Sequence, residues 1–196
     1  MADFYRPLPY DIEYQGRRYN LTPAFDNVLN MYEVIEDADV FERLELMFYY
    51  LTDGKCPKDI KLLEQIIAVL FEGKKNKPER KSFDFIQDGA YIYAAFYQAY
   101  GIDLIEQQGK LHWWKFNALL QGLPSDTRFM EIVEIRQRPL PKPNKYNAEE
   151  RAQLMRLKTL YALKVSEEER QANLQRGLFK VKQLLMSMVQ DGKGKD

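Results

Sequence analysis

Apolar residues recur along this chain mostly at helical spacing, and only the first stretch departs from it. Ile12 and Tyr14 alternate with polar residues, Gln15-Gly16 follows, and Tyr19 and Leu21 alternate again. A period of two around a glycine turn predicts a hairpin, because glycine reaches the positive φ of a tight turn. Two short strands are marginal alone, so the ribbon must lie on something else.

From there the period is helical. Thr22-Pro23 reads as a helix start, with a capping hydroxyl and a proline suited to the first helical position. Phe25, Val28, Leu29 and Tyr32 continue it as a stripe. Asp39 with Glu42 makes a capping box for a second helix carrying Val40, Leu44, Met47, Phe48 and Leu51, broken by Asp53-Gly54. A third helix is expected from Pro57 through Ile60, Leu63, Ile67 and Leu70 to Gly73. After a basic loop, Lys74–Ser82, comes a helix expected over Asp84–Tyr100, with Tyr93, Phe96, Tyr97 and Tyr100 on one face and Gly101 as its C-cap.

The stretch LHWWKFNALLQGLP, Leu111 to Pro124, reads as a helix apolar on two sides. Trp113, Phe116, Leu120 and Leu123 share one side, and Leu111, Trp114 and Ala118 the other. Such a helix is wedged between neighbours, and the Tyr93–Tyr100 helix is expected to be one of them. Ser125 can cap a further helix to about Gln137. The proline-rich stretch Pro139–Tyr146 follows, and then Asn147 with Glu150 opens a helix with Leu154, Leu157 and Tyr161. Ser166 with Glu169 opens the last, where Leu174, Leu178, Val181, Leu185 and Met188 form a heptad-like seam that wants a partner surface. The fold expected is mostly α, a bundle of about seven or eight helices with a small N-terminal β-hairpin. Its expected division is a helical core over residues 1–138, a linker over 139–146 and a helical extension over 147–196.

Composition agrees with a globular chain. Of 196 residues, 45% are hydrophobic and 30% charged, and aromatics reach 13%, so large rings dominate the core. No apolar run has the length of a membrane span, and the first residues lack a secretory pattern. The single cysteine, Cys56, excludes an intramolecular disulfide. A cytoplasmic setting is therefore expected. Net charge is zero but uneven: residues 1–72 hold 14 acidic and 7 basic side chains, and residues 73–196 hold 15 and 22. The two halves can complement each other inside one fold or offer surfaces of opposite sign.

Candidate chemistry is sparse. One histidine and one cysteine do not make a zinc site, and the chain has no EF-hand loop, Walker A loop, GxGxxG or GxSxG. No metal, cofactor or catalytic residue is expected. His112 reads best as a ring at the core edge bonded to a carbonyl or carboxylate. Cys56 stands before a helix expected to start at Pro57, where a helix dipole can activate a thiol, but it reads more simply as a filler. The basic residues Arg136, Arg138, Lys142, Lys145, Arg151, Arg156, Lys158 and Lys164, with Tyr146 and Tyr161 among them, leave a nucleic-acid surface open.

The blocks FDFIQDGAYIYAAFYQAYGIDL, LHWWKFNALLQGLP, EIRQRPL and LKTLYAL, with LPYDIEYQGRRYNLTPAFDNVL near the start, resemble the bacteriophage gene-product-fifteen family over roughly Leu8 to Lys164. Tyr93, Phe96, Tyr97, Tyr100, His112, Trp113, Trp114 and Phe116 are the family-signature core in this chain. The resemblance implies a gene in the tail-morphogenesis cluster, between the tail-tube and tape-measure genes, a slot that tail assembly chaperones fill in other long-tailed phages. It carries no catalytic motif. The expectation is a non-enzymatic tail assembly chaperone partnered by the tape-measure protein or tail-tube subunits, with possible self-association. The alternatives are a structural virion component, such as a tail or head–tail completion protein, and a nucleic-acid-binding regulator.

Overall fold

A computed structural model describes residues 7–37, 40–71 and 82–164, and among them lie seven helices and two strands. The fold is mostly α with an N-terminal antiparallel hairpin. β1 (Asp11–Tyr14) pairs with β2 (Arg17–Asn20), placing Ile12 opposite Tyr19 and Glu13 opposite Arg18. Gln15 and Gly16 turn the ribbon at φ of 51° and 72°, both positive as a type I′ turn requires. Ile12 and Tyr14 face inward and are buried. The Tyr14 hydroxyl donates to Asp59 Oδ2 at 2.5 Å, so the ribbon leans on the entry to the third helix.

The helices are α1 (Phe25–Asp37), α2 (Val40–Leu51), α3 (Ile60–Leu70), α4 (Gly89–Tyr100), α5 (Trp113–Gln121), α6 (Arg128–Gln137) and α7 (Ala148–Leu160). Neighbours in space run α3, α2, α1, α5, α4, α6, α7. α5 therefore stands between the first three helices and the rest, wedged between α1 and α4, with Phe116 of its first apolar side meeting both. Trp113, Phe116 and Leu120 are buried, whereas Ala118 is exposed. The chain divides into two units after Tyr161, and the first holds all of these elements. Beyond the exposed Pro139–Tyr146 stretch, α7 lies against α6 with Leu154 buried. The expected Leu174–Met188 seam, most of the Lys74–Ser82 loop and the Asp39 cap lie outside the described residues.

The helix beginnings differ from the sequence reading, and local hydrogen bonds say why. Thr22 does not cap α1. Its hydroxyl donates to the Tyr50 carbonyl at 2.8 Å, and its own carbonyl accepts from the Asn27 amide side chain. Residues 21–24 form an extended strap instead, with bridges from Leu21 to Thr52 and from Ala24 to His112. α3 starts at Ile60, capped by Asp59, whose Oδ1 accepts from the Lys61 amide at 2.9 Å. That start turns Leu62, Leu63, Ile66 and Leu70 inward and leaves Ile60 exposed. It also puts Cys56 four residues before the helix rather than beside it. Thr127 rather than Ser125 caps α6.

α4 starts at Gly89, not Asp84. Asp84 Oδ1 accepts from the amides of Ile86 and Gln87 and holds a turn there. Asp88, 2% exposed, aims its carboxylate inward. It accepts from the Asp84 amide and takes a two-pronged bond from Arg136 on α6, at 2.6 and 2.8 Å. The Arg136 guanidinium also donates to the carbonyls of Ser82 and Tyr161, and the Lys158 ammonium donates to the Arg136 carbonyl. One arginine thus ties the entry of α4 to α6 and to the end of α7. The inward face of α4 is Ile92, Ala95 and Phe96. Tyr97 falls one residue past that face, and is 59% exposed rather than part of the core.

Three rings stack on Phe116: Phe25 at 4.9 Å, Phe96 at 5.1 Å and Trp113 at 5.7 Å between centroids, all within 16° of parallel. Offset stacks add to the burial of such rings. Trp113→Ala is expected to cost about 3–5 kcal/mol in a urea titration, as other buried aromatic truncations do; a loss under about 1 kcal/mol would place the indole at the surface. Arg136→Met should cost about 3–5 kcal/mol by stranding the Asp88 charge, and adding Asp88→Leu should restore part of it, because an apolar pair leaves no buried charge.

Candidate functional site

The aromatic block builds two things: a clasp that seats α5, and a groove beside it. His112 is the N-cap of α5, with extended backbone and a ring 1% exposed. Its Nδ1 accepts from the Trp114 amide at 3.0 Å. That bond leaves the proton on Nε2, which faces the Pro9 carbonyl at 3.5 Å. Tyr10 and Trp114 meet the ring edge-on. The expected carbonyl partner is found, though the ring caps the helix rather than lying along its side. Burial pushes the imidazole below its ordinary 6.5, the Pro9 carbonyl pulls it up, and Lys115 adds repulsion. Both ring nitrogens are engaged in holding backbone, which gives His112 a structural task.

Other members of the block act as struts. Trp114 is half-buried and its Nε1 donates to the Leu70 carbonyl at 2.8 Å, tying α5 to the end of α3. Tyr100 donates to the Leu119 carbonyl at 2.8 Å, tying α4 to α5. Phe96 is fully buried behind Phe116.

Where α1, α4 and α5 meet, a half-open apolar groove of about 170 Å³ remains. Phe25 and Leu29 of α1 form one wall, and Phe85, Gly89, Ile92 and Tyr93 the other. Phe116 of α5 and Leu104, Ile105 and Gln108 of the turn after α4 complete the lining. Ile105 is 65% exposed and Ile86, next to Phe85 in the chain, 60%. Those isoleucines were missed in the sequence because they sit in turns, outside any helical stripe.

The turn that contributes Leu104, Ile105 and Gln108 also carries acid. Tyr93 donates its hydroxyl to Asp103 Oδ2 at 3.2 Å. Burial raises the Tyr93 pKa, and so do the bond and charge of Asp103 and the nearby Tyr97 and Glu106. Asp26 accepts from the Gly109 amide at 2.9 Å across the same turn. Among the described residues no group of three or more His, Cys, Asp or Glu side chains is arranged to hold a metal ion, and no helix is long and apolar enough to cross a membrane.

The basic stretch offers less to a phosphate than its sequence suggests. The Arg136 side chain is 12% exposed and engaged with Asp88, and Arg138 pairs with Glu150 at 3.3 Å. The Arg128 guanidinium covers one face of the Tyr161 ring, while Tyr146 stands exposed. The proposed partner seam, Leu174, Leu178, Val181, Leu185 and Met188, lies outside the described residues.

The sequence family described as Bacteriophage Gp15 protein matches residues 4–163. No curated protein matches the chain, and no solved structure does.

The His112 environment makes a pH prediction. The unfolded imidazole takes a proton near pH 6.5 and the folded one resists it, so stability rises with pH wherever the unfolded chain holds the extra proton. The contribution of neutral His112 is complete above pH 6.5 and is lost as pH falls below it. His112→Asn keeps a capping acceptor and lacks the titration. The stability gap between wild type and variant, from urea titrations, is expected to narrow between about pH 7.5 and about pH 5. A gap independent of pH would remove His112 from the acid response.

Proposed function

The chain belongs to the Bacteriophage Gp15 protein family, and from that membership we propose that it is a non-enzymatic tail assembly chaperone that holds the tape-measure protein during tail morphogenesis. A tape measure is long and helical and exposes apolar surface until the tube encloses it. A protein that covers such surface needs an accessible apolar cleft set in a rigid frame. The observation that carries the reading is the groove over Phe116, an open piece of the aromatic core with isoleucine at its edge. The lone histidine and the buried Asp88–Arg136 pair support it, since both are tied into the scaffold rather than facing a cleft. Engagement of Arg136 and Arg138 makes a nucleic-acid regulator the weaker reading.

A structural virion component is the second reading, favoured by the same family membership. Co-expression with the neighbouring tape-measure gene separates them. The chaperone reading expects the tape measure to become soluble and to co-purify, and expects this chain to be absent from mature particles by mass spectrometry. An insoluble tape measure with no complex, or this chain at fixed stoichiometry in virions, would overturn it.

A further inference from the structure

We propose that the groove over Phe116 takes one large aliphatic side chain from a basic amphipathic helix, with a lysine or arginine of that helix set against the adjoining acidic turn at Asp103 and Glu106. The inference rests on the protein-contact reading above and adds the chemistry of what docks. Size is the first argument. A volume of about 170 Å³ falls below the roughly 300–1,000 Å³ of small-molecule sites and suits a single Leu, Ile or Met side chain. Its walls are aliphatic and aromatic, and Gln108 is the polar exception. The groove is open along one side, as a helix presenting one anchor residue requires.

Charge is the second argument, and it selects the partner's sign. The turn after α4 lines the groove with Ile105 and carries Asp103 and Glu106 beside it in sequence. The Asp103 carboxylate accepts from the Tyr93 hydroxyl and from the Ile105 and Glu106 amides. Asp26, next to the lining Phe25, accepts from Gly109 of the same turn. Lys110 is the cation of that turn, and its ammonium is drawn back onto the Glu106 carbonyl at 2.8 Å. Three carboxylates against one ammonium favour a basic helix and repel an acidic one. Exposed charges contribute mainly to encounter and to choice of partner, so affinity rests on the anchor side chain and discrimination on the acidic turn.

Gly89 gives a way to test the groove without disturbing the fold. It lines the wall at the start of α4, and a Cβ there meets nothing within 4 Å. Gly89→Leu therefore adds a side chain at the cleft wall with no clash at its Cβ, and improves helix propensity. The probes are labelled amphipathic peptides with one leucine stripe, flanked by lysines in one and glutamates in the other, titrated into the full chain by fluorescence anisotropy. The lysine peptide should bind at least about tenfold more tightly than the glutamate peptide. Gly89→Leu should weaken it at least about tenfold with an unchanged or higher Tm. Ile105→Asp, at an exposed position, serves as a second groove variant should Gly89→Leu fold poorly, and Glu106→Lys should erase the preference for lysine.

No binding of either peptide, equal binding of both, or full binding by the groove variants would overturn the proposal. A tape-measure complex that survives Gly89→Leu sinks the groove and leaves the chaperone reading standing. Lysine-peptide binding that Gly89→Leu abolishes, with no tape-measure complex, sinks the chaperone reading and leaves the groove.

Discussion

The fold depends on a short backbone clasp between two segments almost ninety residues apart. The Phe25 amide bonds to the Leu111 carbonyl at 2.9 Å, and the Trp113 amide bonds to the Pro23 carbonyl at 2.7 Å. These bonds join the entry of α1 to the entry of α5, and His112 sits buried between them. The same strap reaches the other way, where the Thr22 amide bonds to the Leu51 carbonyl at the end of α2. A four-residue extended segment, with the first residue of α1, thus fixes three helix ends. A buried strap of this kind must satisfy its amides and carbonyls, and it does so with neighbours distant in sequence. α5 is seated by those bonds before any of its side chains is counted. Because α5 separates α1 from α4, the clasp also sets the distance between the two walls of the groove.

The helical periods were legible because burial enforces them. Phe25, Val28, Phe48, Leu51, Phe96, Trp113, Phe116 and Leu154 all lie buried where a 3.6-residue repeat places them. Helix starts were less legible, because Thr22 and Ser125 are good caps in isolation and tertiary contacts gave their work to other groups. Thr22 found a carbonyl on α2, and Thr127, 1% exposed, took the cap that Ser125 could have made. Tyr97 shows a related limit. Its spacing from Tyr93 and Tyr100 is helical, yet Ile92 and Ala95 decide which face turns inward.

Two features had no signal in the sequence. Asp88 is one acidic residue among 29, and nothing local marks it as the partner of an arginine 48 positions later. Removing a carboxylate and a guanidinium from water costs several kcal/mol per ion unless geometry and extra bonds compensate. Here the compensation is full: both Asp88 oxygens and three Arg136 nitrogens are engaged. Such a pair defines which helix ends meet more than it adds stability. It also removes Arg136 from the basic surface, a loss that counting charges along the chain cannot register.

The groove was illegible for a different reason: it is made of core residues. Phe25 and Phe116 belong at once to the stacked rings and to the lining of the cleft. Periodicity marks both as interior, both are buried, and nothing in a sequence shows that a gap remains beside them. The consequence is energetic. A cleft lined by Phe116 is not a soft region, since that ring is held from three directions by Phe25, Phe96 and Trp113. Its walls come from α1 and α4, which the clasp and the Asp88–Arg136 pair hold independently. Little ordering is then left to be done when a side chain enters, and preorganisation is what lets a small contact area give measurable affinity. An entering aliphatic group would complete the packing on Phe116, so binding there adds to the same ring cluster that stabilises the fold and must raise its unfolding temperature by mass action.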